Sequence, residues 1–211
     1  MHIPDGFLDI KTCVSLSIVS IGIISFAIKK INKKIEEKHI PMMGVISAFI
    51  FAAQMLNFPI AGGTSGHFMG GALAAILLGP LTGVLVMTTI LIVQCFVFQD
   101  GGLTTLGANI FNMGIIGSLL SYYLYLGINK IIKNKKGNFI GAFIISWLSI
   151  VLASGFCAIE LAISKTVPLK IVLFSMVGIH SLIGIVEGLI TLVVLNFILK
   201  IRPDLLEIKK I

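Results

Sequence analysis

The stretch IVLFSMVGIHSLIGIVEGLITLVVLNFIL, residues 171–199, contains one carboxylate, one imidazole and no lysine or arginine. A helix needs about 20 mostly apolar residues to cross the hydrocarbon core of a bilayer, and this stretch exceeds that length. Unpaired backbone groups are prohibitive in lipid, so a chain made of such stretches folds as a bundle of helices. The segment therefore indicates an all-α integral membrane protein.

The composition of the whole chain supports the same class. Of its 211 residues, 57% are hydrophobic and 12% are charged, and the mean hydropathy is +1.07. A soluble domain carries about 25% charged residues, so a water-soluble globular enzyme is excluded. The length leaves room for several spans and little else, which predicts a single transmembrane domain over residues 1–211.

Six more apolar runs precede the last one, and together they predict a seven-helix transmembrane bundle. The third run is short and is separated from the fourth by Gly79-Pro80, a pair that ends one helix and begins the next. It is expected to be a partial span or one half of a bent hairpin. The approximate bounds of the predicted helices are 12–28, 41–58, 68–78, 81–99, 103–128, 139–163 and 171–199.

The basic residues predict the orientation of this bundle. Thirteen of the sixteen lie in loop 29–40, in loop 129–138 and in the tail after residue 199, and only Lys11, Lys165 and Lys170 fall on the other side. Cytoplasmic loops collect lysine and arginine. Seven crossings with the N-terminus outside and the C-terminus in the cytoplasm satisfy this rule. The net charge of +7 thus reflects membrane topology, and no nucleic-acid partner is expected.

Enzyme motifs are absent from the sequence. It has no GxxxxGK[ST], GxSxG or HExxH pattern, and its glycine clusters at 62–66 and 101–102 lack the lysine of a phosphate-binding loop. The chain is therefore expected to have no ATPase activity of its own, and any transport against a gradient needs a separate energy source.

Several ionisable side chains fall within or beside the predicted spans, where a polar group is costly and often functional, and three of them are candidates for a site. His67 ends a glycine-rich segment before the third helix, and it is either an interfacial residue of a helix-capping stretch or part of a site. His180 and Glu187 lie seven residues apart, so they share one helix face with Gly184 and Thr191. That face must point into the bundle, either to join helices through hydrogen bonds or to serve transport.

The remaining polar groups have simpler interpretations. Glu160 is expected near the outer end of the sixth helix, within reach of the membrane interface, and His39 is expected in solvent among lysines. Amides within the spans are expected to join helices, and cysteines to act as small buried apolar groups. These are Gln54, Asn57, Gln94, Asn109 and Asn112, and Cys13, Cys95 and Cys157.

The start of the chain offers three nitrogens to one metal ion: the free amine of Met1, the backbone nitrogen of His2 and its Nδ1. Binding through all three closes a five-membered and a six-membered ring in one plane. A fourth nitrogen, for example from another histidine, would complete a square plane, which suits Ni(II) or Cu(II) and also low-spin Co(II). The amide must lose its proton, so affinity should fall with pH. The alternative is a second-position histidine without any metal role.

The local sequence agrees with a free and extended start. The first ten residues lack the basic region and cleavage site of a secretory signal, so Met1 is expected to remain the N-terminus. Pro4 disfavours helix at Ile3, and Asp5-Gly6 favours a turn.

Five stretches together resemble the CbiM/NikM family, the substrate-binding membrane (S) components of energy-coupling factor transporters for cobalt and nickel. The resemblance extends over essentially the whole chain. The stretches are Met1–Leu8 (MHIPDGFL), Gln54–Pro59 (QMLNFP), Gly62–His67 (GGTSGH), Gly101–Asn109 (GGLTTLGAN) and His180–Thr191 (HSLIGIVEGLIT).

The resemblance implies a seven-helix protein whose N-terminus is tucked into the bundle and binds the metal. The ligands it implies are the Met1 amine, the backbone nitrogen and imidazole of His2, and His67. Thr64, Ser65, His180 and Glu187 are further candidates, near the ligands or along the transport path. No cofactor is implied, and the transported ion is Ni(II) or Co(II), with the choice between them open.

The resemblance also implies partners in the plasma membrane. These are a transmembrane coupling subunit (CbiQ/NikQ-like), cytoplasmic ATPase subunits (CbiO/NikO-like) and a small accessory subunit that is separate or absent, besides the lipids. The small residues of the third helix are candidates for the coupling contact; they are Gly70, Gly71, Ala72, Ala74 and Ala75.

Two other functions compete with metal capture. The first is a membrane scaffold with structural histidines. The second is an S component for a different small substrate such as a vitamin, which would need a larger cavity with aromatic and amide groups. The single Trp147 argues against the second.

Overall fold

A computed structural model describes residues 1–31, 39–132 and 135–202 of the chain. As the apolar runs predict, seven helices follow one another in this part of the chain. Five of them, α1, α4, α5, α6 and α7, are long and apolar enough to cross a membrane, so the chain is a multi-pass membrane protein. The helices are α1 (Ile10–Ile31), α2 (Ile40–Gln54), α3 (Gly71–Leu78), α4 (Pro80–Phe98), α5 (Leu106–Ile131), α6 (Lys135–Ile163) and α7 (Leu169–Ile201).

The orientation of the bundle stays a prediction. No bilayer is present, and many of the basic residues that predict the inner side lie outside the described residues. These are Lys33, Lys34, Lys38, Lys133, Lys209 and Lys210.

Helix α2 ends four residues before its predicted end. Phe58 precedes a proline and is therefore biased towards extended backbone. Phe58–Pro59 (β1) pairs antiparallel with Ser65–Gly66 (β2), and this short hairpin turns the chain back towards the bundle. His67 follows the hairpin directly and is brought into the interior, where its side chain is 1% exposed.

Helix α3 begins at Gly71, three residues later than predicted. The backbone N–H groups of Met69 and Gly70 donate to the two carboxylate oxygens of Glu187, at 2.9 and 3.0 Å. Gly70 has a φ of 78°, which favours glycine. At eight residues, α3 rises only about 12 Å, against about 30 Å for the hydrocarbon core. The prediction of a partial span is confirmed.

The prediction that α3 offers its small residues to a coupling subunit is wrong. Every residue of α3 is buried within the chain itself. A Cβ placed on Gly71 would lie 2.8 Å from the carbonyl oxygen of Met113 on α5, and one on Gly83 of α4 would lie 3.0 Å from Cα of Ala75. The small side chains let α3 pack closely against α4 and α5, so they serve the internal core.

The interpretation of Glu160 as an interfacial residue is also wrong. Its side chain is 5% exposed, and its Oε2 accepts a hydrogen bond of 2.7 Å from Nδ2 of Asn112. Asn112 lies in the wide, π-helical middle of α5, Ile110–Leu120. This bond joins α5 to α6, as the prediction for buried amides requires. The cysteines are free and buried, also as predicted.

Candidate metal centre

The first three residues of the chain lie inside the helical bundle. Met1, His2 and Ile3 are 0%, 4% and 0% exposed. The N–H of Ile3 donates to Oδ1 of Asn109 at 2.8 Å, and its carbonyl accepts from the N–H of Gly102 at 2.9 Å. The N-terminal segment is thus held like a strand against the loop before α5.

The turn that follows fixes how this segment leaves the bundle. Asp5 accepts hydrogen bonds from the hydroxyl and the N–H of Thr104, at 2.5 and 2.7 Å, and from the N–H of Leu103 at 3.1 Å, and these bonds lower the pKa of its carboxyl group. Gly6 has a φ of 80°. The predicted Asp5-Gly6 turn is confirmed. Helix α5 begins at Leu106, three residues later than predicted.

The amine of Met1 is held by Ser65 on the hairpin. It donates to the carbonyl oxygen of Ser65 and to its Oγ, the latter at 2.9 Å, and the same Oγ accepts from the N–H of His2 at 3.1 Å. Burial lowers the pKa of the amine from 8.0 to about 5. The amine is therefore neutral at pH 7 and keeps a lone pair for a metal ion.

The imidazole rings of His2 and His67 are stacked, with 4.6 Å between their centroids and 21° between their planes. Nε2 of His2 lies 3.0 Å from Oε1 of Gln94, and Nδ1 of His67 lies 2.7 Å from the carbonyl oxygen of Phe68. Both partners are acceptors, so these two ring nitrogens carry the protons. The lone pairs are then on Nδ1 of His2 and Nε2 of His67, and neither atom has a hydrogen-bond partner.

The neutral state of His2 fits this assignment. Burial lowers the pKa of its imidazole from 6.5 to about 3. The structure thus brings four nitrogens together. The Met1 amine and the backbone nitrogen and unprotonated Nδ1 of His2 come from the N-terminal segment. The unprotonated Nε2 of His67 comes from the residue that follows the hairpin. Within the described ranges, this centre included, no group of three or more His, Cys, Asp or Glu side chains could hold a metal ion. Any metal bound here depends on backbone and terminal nitrogens.

The other four candidate residues, Thr64, Ser65, His180 and Glu187, make different contacts. Ser65 contacts the candidate nitrogens directly, whereas the hydroxyl of Thr64 faces Sγ of Cys157 and Sδ of Met176, each at 3.9 Å. His180 and Glu187 are fully buried on the inner face of α7, as predicted. They do not bond each other: Nδ1 of His180 lies 2.7 Å from the carbonyl of Met176, and Glu187 binds the backbone before α3.

Sequence reasoning missed two side chains of this centre. Asp100 places Oδ1 3.2 Å from Nδ1 of His2, without the alignment of a hydrogen bond. Gln94, assigned to helix joining, binds the other nitrogen of that ring. In the sequence, Asp100 is a carboxylate directly after an apolar run, and Gln94 is an amide within that run. Neither feature indicates a contact with His2.

Known proteins resemble this chain over nearly its full length. Residues 2–205 match the family model CbiM, described as the cobalt uptake substrate-specific transmembrane region. A fused nickel transport protein NikMN of Archaeoglobus fulgidus is 45% identical over 99% of this chain and 69% of its own length. A cobalt transport protein CbiM of Methanocorpusculum labreanum is 30% identical over 98% of this chain and 92% of its own length.

A solved structure shares the fold. The crystal structure of a truncated transition metal transporter superposes with a TM-score of 0.90 at 33% sequence identity, covering 95% of this chain and 99% of that one. A buried N-terminus beside two stacked imidazoles, the matching fold and the family model agree, and the chain belongs to the CbiM family of cobalt uptake substrate-specific transmembrane regions.

Proposed function

We propose that this protein is the substrate-capture membrane component, or S component, of an energy-coupling factor importer for Ni(II) or Co(II). The ion binds to the Met1 amine, to the backbone nitrogen and Nδ1 of His2, and to Nε2 of His67. The names of the relatives support the cargo, since one is a nickel transport protein and another a cobalt transport protein.

One observation carries this proposal. The two ring nitrogens that a planar four-nitrogen site needs, Nδ1 of His2 and Nε2 of His67, both lack a hydrogen-bond partner although they are buried. Buried polar atoms are normally paired, so an unpaired pair on stacked rings suggests a ligand. Four nitrogens in one plane suit Ni(II) and low-spin Co(II) and disfavour Mg(II) and Ca(II).

The charges around the site also favour a divalent ion. Loss of the His2 amide proton adds one negative charge, and the carboxylate of Asp100, at 3.2 Å from the imidazole, adds another. Together they neutralise a dication. Burial raises the pKa of Asp100, and a bound cation would lower it again by favouring the charged form.

Ser65 holds two nitrogens of the proposed site in place. Its Oγ accepts hydrogen bonds from the two nitrogens, of Met1 and His2, that the metal would take. Metal binding exchanges these bonds for coordination as the amide proton leaves. The N-terminal segment and the β1–β2 hairpin close over the ion together, because each supplies ligands.

The remainder of transport depends on other subunits. With the N-terminus outside, the site captures the ion from the exterior, and a transmembrane coupling subunit with paired ATPases drives its release inward. The sequence carries no phosphate-binding loop, which agrees with an external source of energy.

Calorimetric titration of the purified protein with Ni(II) and with Co(II) tests the site. His67→Ala should weaken Ni(II) binding by more than about 100-fold, beyond the loss expected from an outer-sphere change. The matched control is His39→Ala, a half-exposed histidine at the start of α2. It should leave affinity unchanged. Unaltered binding by His67→Ala overturns the proposed ligand set.

A thermal-stability measurement separates metal capture from the scaffold alternative. A hundredfold excess of Ni(II) over its dissociation constant should stabilise the folded protein by about 2.7 kcal/mol. A scaffold with structural histidines predicts no stabilisation.

A further inference from the structure

We infer that Gln54 and Gln94 are positioning residues that select the tautomer of His2. They form a directional relay of hydrogen bonds, defined here as His2–Gln94–Gln54–Met69, that keeps the ring proton on Nε2 and leaves Nδ1 free for the ion. The inference rests on the proposed metal site and extends it to two side chains that touch no metal.

The relay is continuous and buried. Nε2 of His2 is 3.0 Å from Oε1 of Gln94, Nε2 of Gln94 is 2.9 Å from Oε1 of Gln54, and Nε2 of Gln54 is 2.6 Å from the carbonyl oxygen of Met69. Both glutamines are 0% exposed. The amides are therefore shielded from bulk water.

The backbone carbonyl sets the direction of the whole relay. A carbonyl oxygen can only accept, so Gln54 must present its NH₂ group to Met69 and its oxygen to Gln94. Gln94 must then present its NH₂ group to Gln54 and its oxygen to His2. An amide oxygen requires a donor, which places the imidazole proton on Nε2.

Glu187 fixes the acceptor at the far end. Its carboxylate accepts from the N–H groups of Met69 and Gly70, at 2.9 and 3.0 Å. The peptide groups around Met69 are thereby held, and its carbonyl stays directed at Gln54. His67 lies two residues earlier on this segment, so the relay connects the two proposed imidazole ligands.

A competing acceptor makes the relay necessary. Oδ1 of Asp100 lies 3.2 Å from Nδ1 of His2 and could accept a proton from it. That tautomer would block the nitrogen that the metal needs. Accommodating it would reverse both amides and leave the oxygen of Gln54 facing the oxygen of Met69, which buried polar groups do not tolerate.

The test is the nitrogen spectrum of metal-free protein labelled with ¹⁵N-histidine. The chain has four histidines, and the His2 signals are identified by their loss in His2→Ala. In the wild type, Nε2 of His2 should be protonated and Nδ1 unprotonated. Protonation of Nδ1 in the wild type overturns the inference.

Gln54→Leu then tests the relay at a distance. Gln54 makes no hydrogen bond to His2, yet its loss frees Gln94 to reverse, so the Nδ1-protonated form of His2 should appear. Affinity for Ni(II) should fall about 10- to 100-fold, as for other outer-sphere partners of metal-binding histidines. Thr88→Val is the matched control, a buried hydroxyl on α4 outside the relay, and should change neither property. An unchanged His2 spectrum in Gln54→Leu contradicts the inference.

The two proposals fail in different ways. If the wild type shows the expected tautomer, and Gln54→Leu shifts it, but Ni(II) does not bind either protein, the metal site is wrong and the relay stands. If Ni(II) binds and Gln54→Leu leaves both tautomer and affinity unchanged, only the relay is wrong.

Discussion

At the scale of single residues, the central feature is an amine that has lost its charge. The amine of Met1 is completely buried, and this burial lowers its pKa from 8.0 to about 5. The Met-His start is enough to predict three chelating nitrogens, because these follow from covalent structure alone. Gln94 and Asp100 could not be predicted, since their contacts with His2 depend on how the chain folds over more than ninety residues.

The lowered pKa values lead to a prediction about pH. At neutral pH the Met1 amine and the His2 imidazole, with a pKa of about 3, are already neutral, so only the His2 amide has a proton to lose. Binding of Ni(II) should release about one proton, and affinity should rise about tenfold per pH unit between pH 6 and 8. An exposed amine would release a second proton over most of this range. Competition titrations against a chelator measure the slope, and a hundredfold change per pH unit would show that the amine is not buried.

At the scale of elements, α3 is the buried helix that follows the site residue His67. It is wholly buried, and it begins where Glu187 binds the preceding backbone. The apolar runs predict all seven helices, and their ends agree to within four residues. The largest differences with a clear cause are at the end of α2 and the starts of α3 and α5. At these three helix ends, backbone groups pair with the β1–β2 hairpin, with Glu187 and with Asp5, respectively. Glu187 and Asp5 are far away in the sequence, so the residues next to the helix ends do not predict these contacts.

The close packing of α3 predicts a penalty for a single methyl group. In Gly71→Ala, the added Cβ would lie 2.8 Å from backbone atoms of Met113 and Gly117, which cannot rotate away. The free energy of unfolding should fall by about 1–3 kcal/mol. Gly178→Ala on α7 is the control, because a Cβ there meets nothing within 4 Å. Thermal unfolding in detergent compares the two variants, and equal stability would contradict the packing of α3 against α5.

At the scale of the whole molecule, apolar side chains face outward on the long helices and polar ones gather inside. Ile18 of α1, Val97 of α4 and Phe174 of α7 are 66%, 68% and 83% exposed, as lipid-facing residues are. Several buried polar groups, Gln94, Thr105 and Asn109 among them, instead contact the N-terminal segment. The apolar composition predicts that apolar side chains face outward, and the family resemblance predicts the metal ligands. The proposed outward orientation follows from the charge of the loops and agrees with capture from the exterior.

The most direct test of the proposed metal site is to add two glycines before Met1. A single added residue would create Gly-Met-His, in which the new amine, two amide nitrogens and the imidazole form a planar chelate of their own. With two glycines, the free amine lies two residues further from His2 and can no longer share one planar chelate with the backbone nitrogen and Nδ1 of His2. The same two glycines added after Ile211 are the control. Titration with Ni(II) should show affinity lost by more than about 100-fold in the first protein and unchanged in the second. Equal affinity in both proteins would contradict a site built on the N-terminal amine.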